Sequence, residues 1–202
     1  PVAEDMLEGA RLAGVDFTLN TVLNRNGRIA AVFGGELDAA HRAAAQFARD
    51  MFSVVVEEPA DIVVASAGGA KNFVQSHKAL YNAYQAVKPD GRIIFLAQCT
   101  EGLGGENFEK WLRLGTREAI IEGLRTQSEI NGQTALSTRE KAPITLFVTD
   151  MPEESVRMLG GRKATSLQEA LCIAREELGG FDRNLTAYVM PSASYTVPFR
   201  KC

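Results

Sequence analysis

From residue 60 onward the chain keeps one rhythm: a short apolar run, a break, then a helical pattern. The apolar runs are "DIVVASA" (61–67), "RIIFLAQ" (92–98), "PITLFVTD" (143–150) and "LTAYVMP" (185–191). Their centres are continuously apolar, which suits strands buried on both faces. Between them lie helical patterns: "NFVQSHKALYNAYQAV", "NFEKWLRL", a further helix around 116–126, "PEESVRML" and "LQEALCIAREEL". "KPDG" reads as the turn into the second strand, and a polar stretch follows residue 126. Pro152 starts one helix. Ser166 and Glu169 form a capping box before another, which Gly179 and Gly180 end. Strands alternating with helices predict an α/β fold: a parallel sheet in a three-layer domain.

The first part differs. "EDMLEGARLAG" reads as a helix closed by Gly14. "VDFTLNTVLNRNGRIAAVFGG" reads as two strands joined at Asn24-Arg25-Asn26-Gly27, an Asn-Gly hairpin turn. "ELDAAHRAAAQFARDMF" is a helix with Leu37, His41, Ala44, Ala48 and Met51 on one face. "SVVVEEPA" reads as a linker punctuated by Pro59. The predicted division is therefore 1–57, a hairpin-plus-helix segment, and 58–202, the α/β domain.

Length and charge narrow the function classes. A chain of 202 residues holds one large domain or two small ones. A net charge of −3 without a basic block argues against nucleic acid as the main partner. No apolar run is long enough to cross a bilayer, and no secretory signal opens the chain. Cys99, Cys172 and Cys202 are odd in number and widely spaced, which predicts reduced thiols and a cytoplasmic protein. With only His41 and His77, a metal site has few good ligands.

Four strands run into polar or glycine-rich loops: 66–71, 98–106, 149–151 and 192–196. In open α/β sheets ligands bind beyond the carboxyl ends of the strands. Gln75 and Lys78 are three apart on one helix and share a face near its positive end. An amide and an ammonium there suit a small carboxylate; a solvated helix face has the same pattern. Gly68-Gly69 permits close backbone approach or a tight turn, and it is not a dinucleotide fingerprint. "EGLGGE" either opens backbone amides to an anion or forms a flexible lid. His77 reads as a surface or packing residue, His41 as a helix-packing one, and Trp111 as core. Cys99 has no evident histidine partner as a nucleophile. "SASYT" (192–196) is either a ligand-contacting loop or a plain one.

The ordered set "ADIVVASAGG…NFVQSHKALYNAYQAVKPDGRIIFLAQCTEGLGGENFEKWL" resembles the nickel-dependent lactate racemase family. In that family an aromatic-Gln-x-x-Lys pattern opens the corresponding helix. The opening 50 residues and the closing "AYVMPSASYTVPF" are similar to the family as well. The resemblance implies two domains with a site between them and a nickel-pincer pyridinium mononucleotide cofactor. The implied reaction is racemisation or epimerisation of small 2-hydroxy acids, by hydride removal and return at C2. It implies that Gln75 and Lys78 bind substrate, and that residues 1–57 close an upstream catalytic and cofactor domain. The family's catalytic histidines and cofactor-bearing residues lie upstream of Pro1. The chain is thus expected to be the carboxyl-terminal portion of an isomerase, inactive alone, with the missing amino-terminal domain as its partner. Departures are present. Val74 stands where the family has Tyr, the stretch before Asn72 is about three residues shorter, and an aromatic expected near Gln133 has no clear equivalent. Two other readings remain: a non-catalytic carboxylate-binding module, and a methyltransferase-like α/β protein suggested by "AVKPDGRIIFLAQ".

Overall fold

The computed structural model describes residues 2–180 and 182–200. Cys202 lies outside the described residues. The chain forms two compact units, with the boundary between Ser53 and Val54.

The first unit contains α1 (Val2–Ala13), β1 (Thr18–Leu23), β2 (Ile29–Gly35) and α2 (Leu37–Phe52). β1 and β2 pair antiparallel, from Thr18 opposite Gly35 to Leu23 opposite Ile29. The turn forms as the Asn-Gly signal predicts. Asn24 Oδ1 accepts from the N–H groups of Asn26 (2.9 Å) and Arg28 (3.1 Å), and Gly27 takes a φ of +72°. The Glu36 carboxylate caps α2 by accepting from the N–H groups of Asp38 and Ala39. Among the described residues, the buried apolar side chains of this unit are Val22, Ala40 and Ala44. His41 is exposed, contrary to the packing role predicted for it. One helical position away, Ala40 takes the buried place, which a small side chain fills without desolvating a ring nitrogen.

In the second unit β4 (Ala60–Ser66), β5 (Val87–Leu96), β6 (Thr145–Val148), β7 (Arg162–Ala164) and β8 (Ala187–Met190) form one sheet in the order β7-β6-β5-β4-β8. Every neighbouring pair in it is parallel. Side chains of the central strands alternate between two cores. Val63, Ala65, Ile93 and Phe95 pack on the side of α3 (Phe73–Ala86), α4 (Glu106–Arg113), α5 (Arg117–Thr126), α6 (Ile130–Lys141) and α7 (Glu153–Leu159). Ile62, Val64 and Ile94 pack on the side of α8 (Leu167–Glu177). Both faces are covered, which is why these strands lack a polar alternation.

Four local expectations change. "SVVVEEPA" is not wholly a linker: Ser53–Val56 is a strand, β3, paired with β9 (Val197–Arg200). Three valines favour extended backbone, but the partner lies some 140 residues downstream. "KPDG" does not turn the chain; it lies within β5, where pairing with β4 is irregular between Ala60 and Ile62. Gly91 is needed there, because a Cβ would sit 2.7 Å from Asp61 O. The polar stretch after residue 126 contains α6, whose small buried residues Gly132 and Ala135 disguise its packing face. The short edge strand β7 gave no apolar run.

Asp61, at the start of β4, is buried and fully used. It accepts from Thr186 N–H (2.9 Å), Thr186 Oγ1 (2.7 Å) and Lys88 Nζ (2.9 Å). The Thr186 N–H first, then Lys88, hold its carboxyl well below the usual range. This network staples β4 to the segment entering β8 at the end of the sheet opposite the candidate site.

Candidate functional site

The site is built where β4 ends and α3 begins. Ser66 Oγ accepts from Gly68 N–H (3.2 Å), and Gly68 takes a φ of +69°, which lets the chain leave the strand sharply. Asn72 then caps α3. Its Oδ1 accepts from Gln75 N–H (3.0 Å) and its carbonyl from Ser76 N–H (3.1 Å). The remaining two N–H groups of the first turn are taken by the loop after β5: Phe73 donates to Gly102 O (3.0 Å) and Val74 to Leu103 O (3.2 Å). The N–H groups of Phe73, Val74, Gln75 and Ser76, the first turn of α3, therefore all have protein acceptors.

This changes the role of "EGLGGE". The loop turns the carbonyls of Gly102 and Leu103 toward α3. Glu101 N–H donates to Lys71 O (2.8 Å), and the two side chains form an exposed ion pair at 3.5 Å. Gly104 has a φ of +108°, and a Cβ there would lie 2.7 Å from Asn72 Oδ1. The glycine permits the loop to close over the cap.

With the N–H groups of residues 73–76 taken, the exposed donors on α3 here are side chains. Gln75 and Lys78 are both exposed, on the predicted shared face of α3. Gln75 Oε1 accepts a long bond from Lys71 N–H (3.4 Å), which leaves its Nε2 as the donor. Lys78 Nζ lies 5.7 Å from the centroid of the Tyr195 ring, in the loop after β8. Among the described residues no carboxylate lies within ion-pairing distance of Lys78. "SASYT", read separately from Lys78 in the sequence, is thus brought beside it. The aromatic at a strand end was the available signal.

His77 faces away from this edge, as one residue of helical rotation requires. It packs edge-on against Phe73, with ring centroids 6.1 Å apart, and its buried Nε2 has no hydrogen-bond partner among the described residues. Burial first, then the nearby Lys141 charge, bring its pKa down to about 4. A neutral, enclosed imidazole is not a base at the Gln75–Lys78 edge. Lys141 is itself buried, 4.8 Å from the Tyr84 ring centroid and 5.1 Å from that of Tyr81, with Nζ donating to Ser137 Oγ (2.9 Å) and Glu140 (2.7 Å).

Cys99 is buried, with φ +53° and its Sγ 3.4 Å from Ser76 Oγ. Burial pushes its thiol up, so it is a protonated packing group, not a nucleophile. Cys172 is free and exposed. Trp111 is partly buried between α5 and α6, and its Nε1 donates to Glu129. Among the described residues no three His, Cys, Asp or Glu side chains come together as a metal site. With Cys99 protonated and His77 enclosed, these residues do not fit a nickel cofactor. No described helix is long and apolar enough to cross a membrane.

A family model described as the lactate racemase C-terminal domain matches residues 55–193. The lactate racemase of Thermoanaerobacterium thermosaccharolyticum is 35% identical over 116 residues, which are 56% of this chain and 27% of that protein. The lactate racemase of Lactiplantibacillus plantarum is 33% identical over 110 residues, 53% of this chain and 26% of that one. The structure of the Thermoanaerobacterium apoprotein aligns at a TM-score of 0.86 and 27% identity, over 96% of this chain and 48% of that chain. A Thermotoga maritima protein shares the fold at a TM-score of 0.63 and 14% identity, over 92% of this chain and 49% of that chain. The chain thus spans about a quarter of the curated relatives it matches and about half of the solved apoprotein.

Proposed function

Because the chain belongs to the lactate racemase C-terminal domain family, we propose that it is the carboxyl-terminal portion of a 2-hydroxy-acid racemase or epimerase and that it supplies the groups holding the substrate carboxylate. The observation that carries this reading is the state of the α3 edge. Every first-turn N–H is satisfied internally, while Gln75 and Lys78 remain exposed beyond the end of β4. An ammonium and an amide donor can together bind both oxygens of a carboxylate through charge-assisted and neutral hydrogen bonds. The methyltransferase-like reading gives way to the family match.

In this proposal the chain orients substrate and performs no bond-breaking step. Anchoring the carboxylate fixes the position of C2, which is the contribution that positioning makes to catalysis. Hydride removal and return at C2, the nickel-pincer cofactor and the proton-transferring histidines are assigned to an amino-terminal domain of the same protein. The first unit supports that assignment. Its exposed Met6, Leu19, Ile29 and Val32 are large apolar side chains on regular elements. Such surface suits packing against further protein.

The test is a chirality assay on the longer protein loaded with cofactor. Single enantiomers of lactate and of larger aliphatic and aromatic 2-hydroxy acids, deuterated at C2, would be offered. Loss of optical purity with deuterium retained at C2 is expected for at least one of them. Lys78→Ala should raise KM for that substrate about tenfold or more, the scale of a lost charged hydrogen bond, with fold stability unchanged because Lys78 is exposed. No inversion across the panel, with cofactor bound, would instead favour a non-catalytic carboxylate-binding module.

A further inference from the structure

We propose that Tyr195 is a positioning residue of the carboxylate site, its ring holding the Lys78 ammonium in place without neutralising it. The inference rests on the carboxylate-binding reading of Gln75 and Lys78.

Tyr195 closes a short 3-10 turn, Ala193–Tyr195, between β8 and β9. That turn is pinned on two sides. Asn82 lies one helical turn beyond Lys78 on α3 and is buried; its Nδ2 donates to Ala193 O at 2.7 Å. Ser194 Oγ donates to Ala67 O, just past β4, at 3.2 Å. Within the turn, Tyr195 N–H and Thr196 Oγ1 both donate to Ser192 O, at 2.9 Å and 3.0 Å. The ring therefore reaches Lys78 from a fixed support, with 5.7 Å between Nζ and the ring centroid. That separation is within cation–π range.

The choice of partner bears on function. A long lysine chain is flexible, and ordering it when a ligand arrives costs affinity. An aspartate or glutamate would order it too, but would compete with an incoming carboxylate for the same charge. An aromatic face orders the ammonium and leaves its charge uncancelled.

The experiment is an NMR titration of the labelled 202-residue chain with sodium lactate and with the larger aliphatic and aromatic 2-hydroxy acids of the chirality panel, following the amides of residues 75–78. It would compare wild type with Y195F, Y195L, Y195A and K78A, with a thermal melt of each. Y195F keeps the ring and should bind within about twofold of wild type. Y195L keeps apolar bulk without a π face; it and Y195A should bind about two- to fivefold more weakly, with melting temperatures near wild type. Y195L binding like wild type while K78A binds weakly would overturn the role of Tyr195 and leave the carboxylate reading standing. Y195F as weak as Y195A would also overturn it, by assigning the effect to the hydroxyl. Unchanged binding in K78A, or no saturable response in wild type, would remove the carboxylate reading and this inference with it.

Discussion

At the scale of single residues, α3 separates two kinds of polar group by one step of helical rotation. Lys78 is exposed at the strand-end edge, and its neighbour His77 is enclosed against Phe73 near buried Lys141. His77 has a consequence for stability. Its pKa falls from the usual 6.5 to about 4 in the fold, so between those values the unfolded chain binds a proton that the folded chain does not. The stability is complete above pH 6.5 and is lost as pH falls through 4, by about 3 kcal/mol at most. Chemical denaturation at pH 7 and pH 5 should show a steeper loss for wild type than for His77→Leu. Equal pH slopes would mean that His77 is not enclosed as described. From the sequence, the direction of His77 away from Lys78 was legible through the 100° step. The depth of its burial was not, because it depends on α6 some 60 residues away.

At the scale of elements, the start of α3 is set by residues from two segments. Asn72 supplies two acceptors and the 99–105 loop supplies two more. Asn72→Ala should cost about 1 kcal/mol in denaturation experiments, and Asn72→Asp or Asn72→Ser should recover most of it. An Ala variant as stable as wild type would show that the loop carbonyls suffice. The helix itself was readable from its spacing, but the cap at Asn72 emerges only in the structure. The part played by "EGLGGE" was not readable, because a glycine-rich loop looks the same whether it offers amides or carbonyls. Likewise α6 lies in what the sequence shows only as a polar stretch: a helix that buries Gly132 and Ala135 shows no large apolar stripe. The Cβ of an Ala at 132 would lie 2.7 Å from Leu124 Cδ2 and 2.8 Å from Trp111 Cε2, so the small residue there is a packing requirement.

At the scale of the whole molecule, the chain exposes Gln75 and Lys78, to which we assign substrate orientation, and among its described residues there is no metal-ligand cluster. Alone, it should neither retain nickel after desalting nor racemise lactate. Metal analysis and polarimetry on the purified 202-residue chain check this. Stoichiometric nickel with turnover would overturn the assignment of that chemistry to an upstream domain.

The parallel sheet, four of its strands and the helices α3, α4, α5, α7 and α8 were determined by sequence alone, because the strands of a covered parallel sheet read as apolar runs and an amphipathic helix must repeat near 3.6 residues. The Gln75–Lys78 face follows from the same periodicity. Tertiary structure decided what periodicity does not encode: that β3 finds β9, that loop carbonyls rather than amides meet α3, and that Tyr195 stands beside Lys78. Each of these joins segments distant in sequence, and the choice between them rests on which buried groups can satisfy one another once the core has closed.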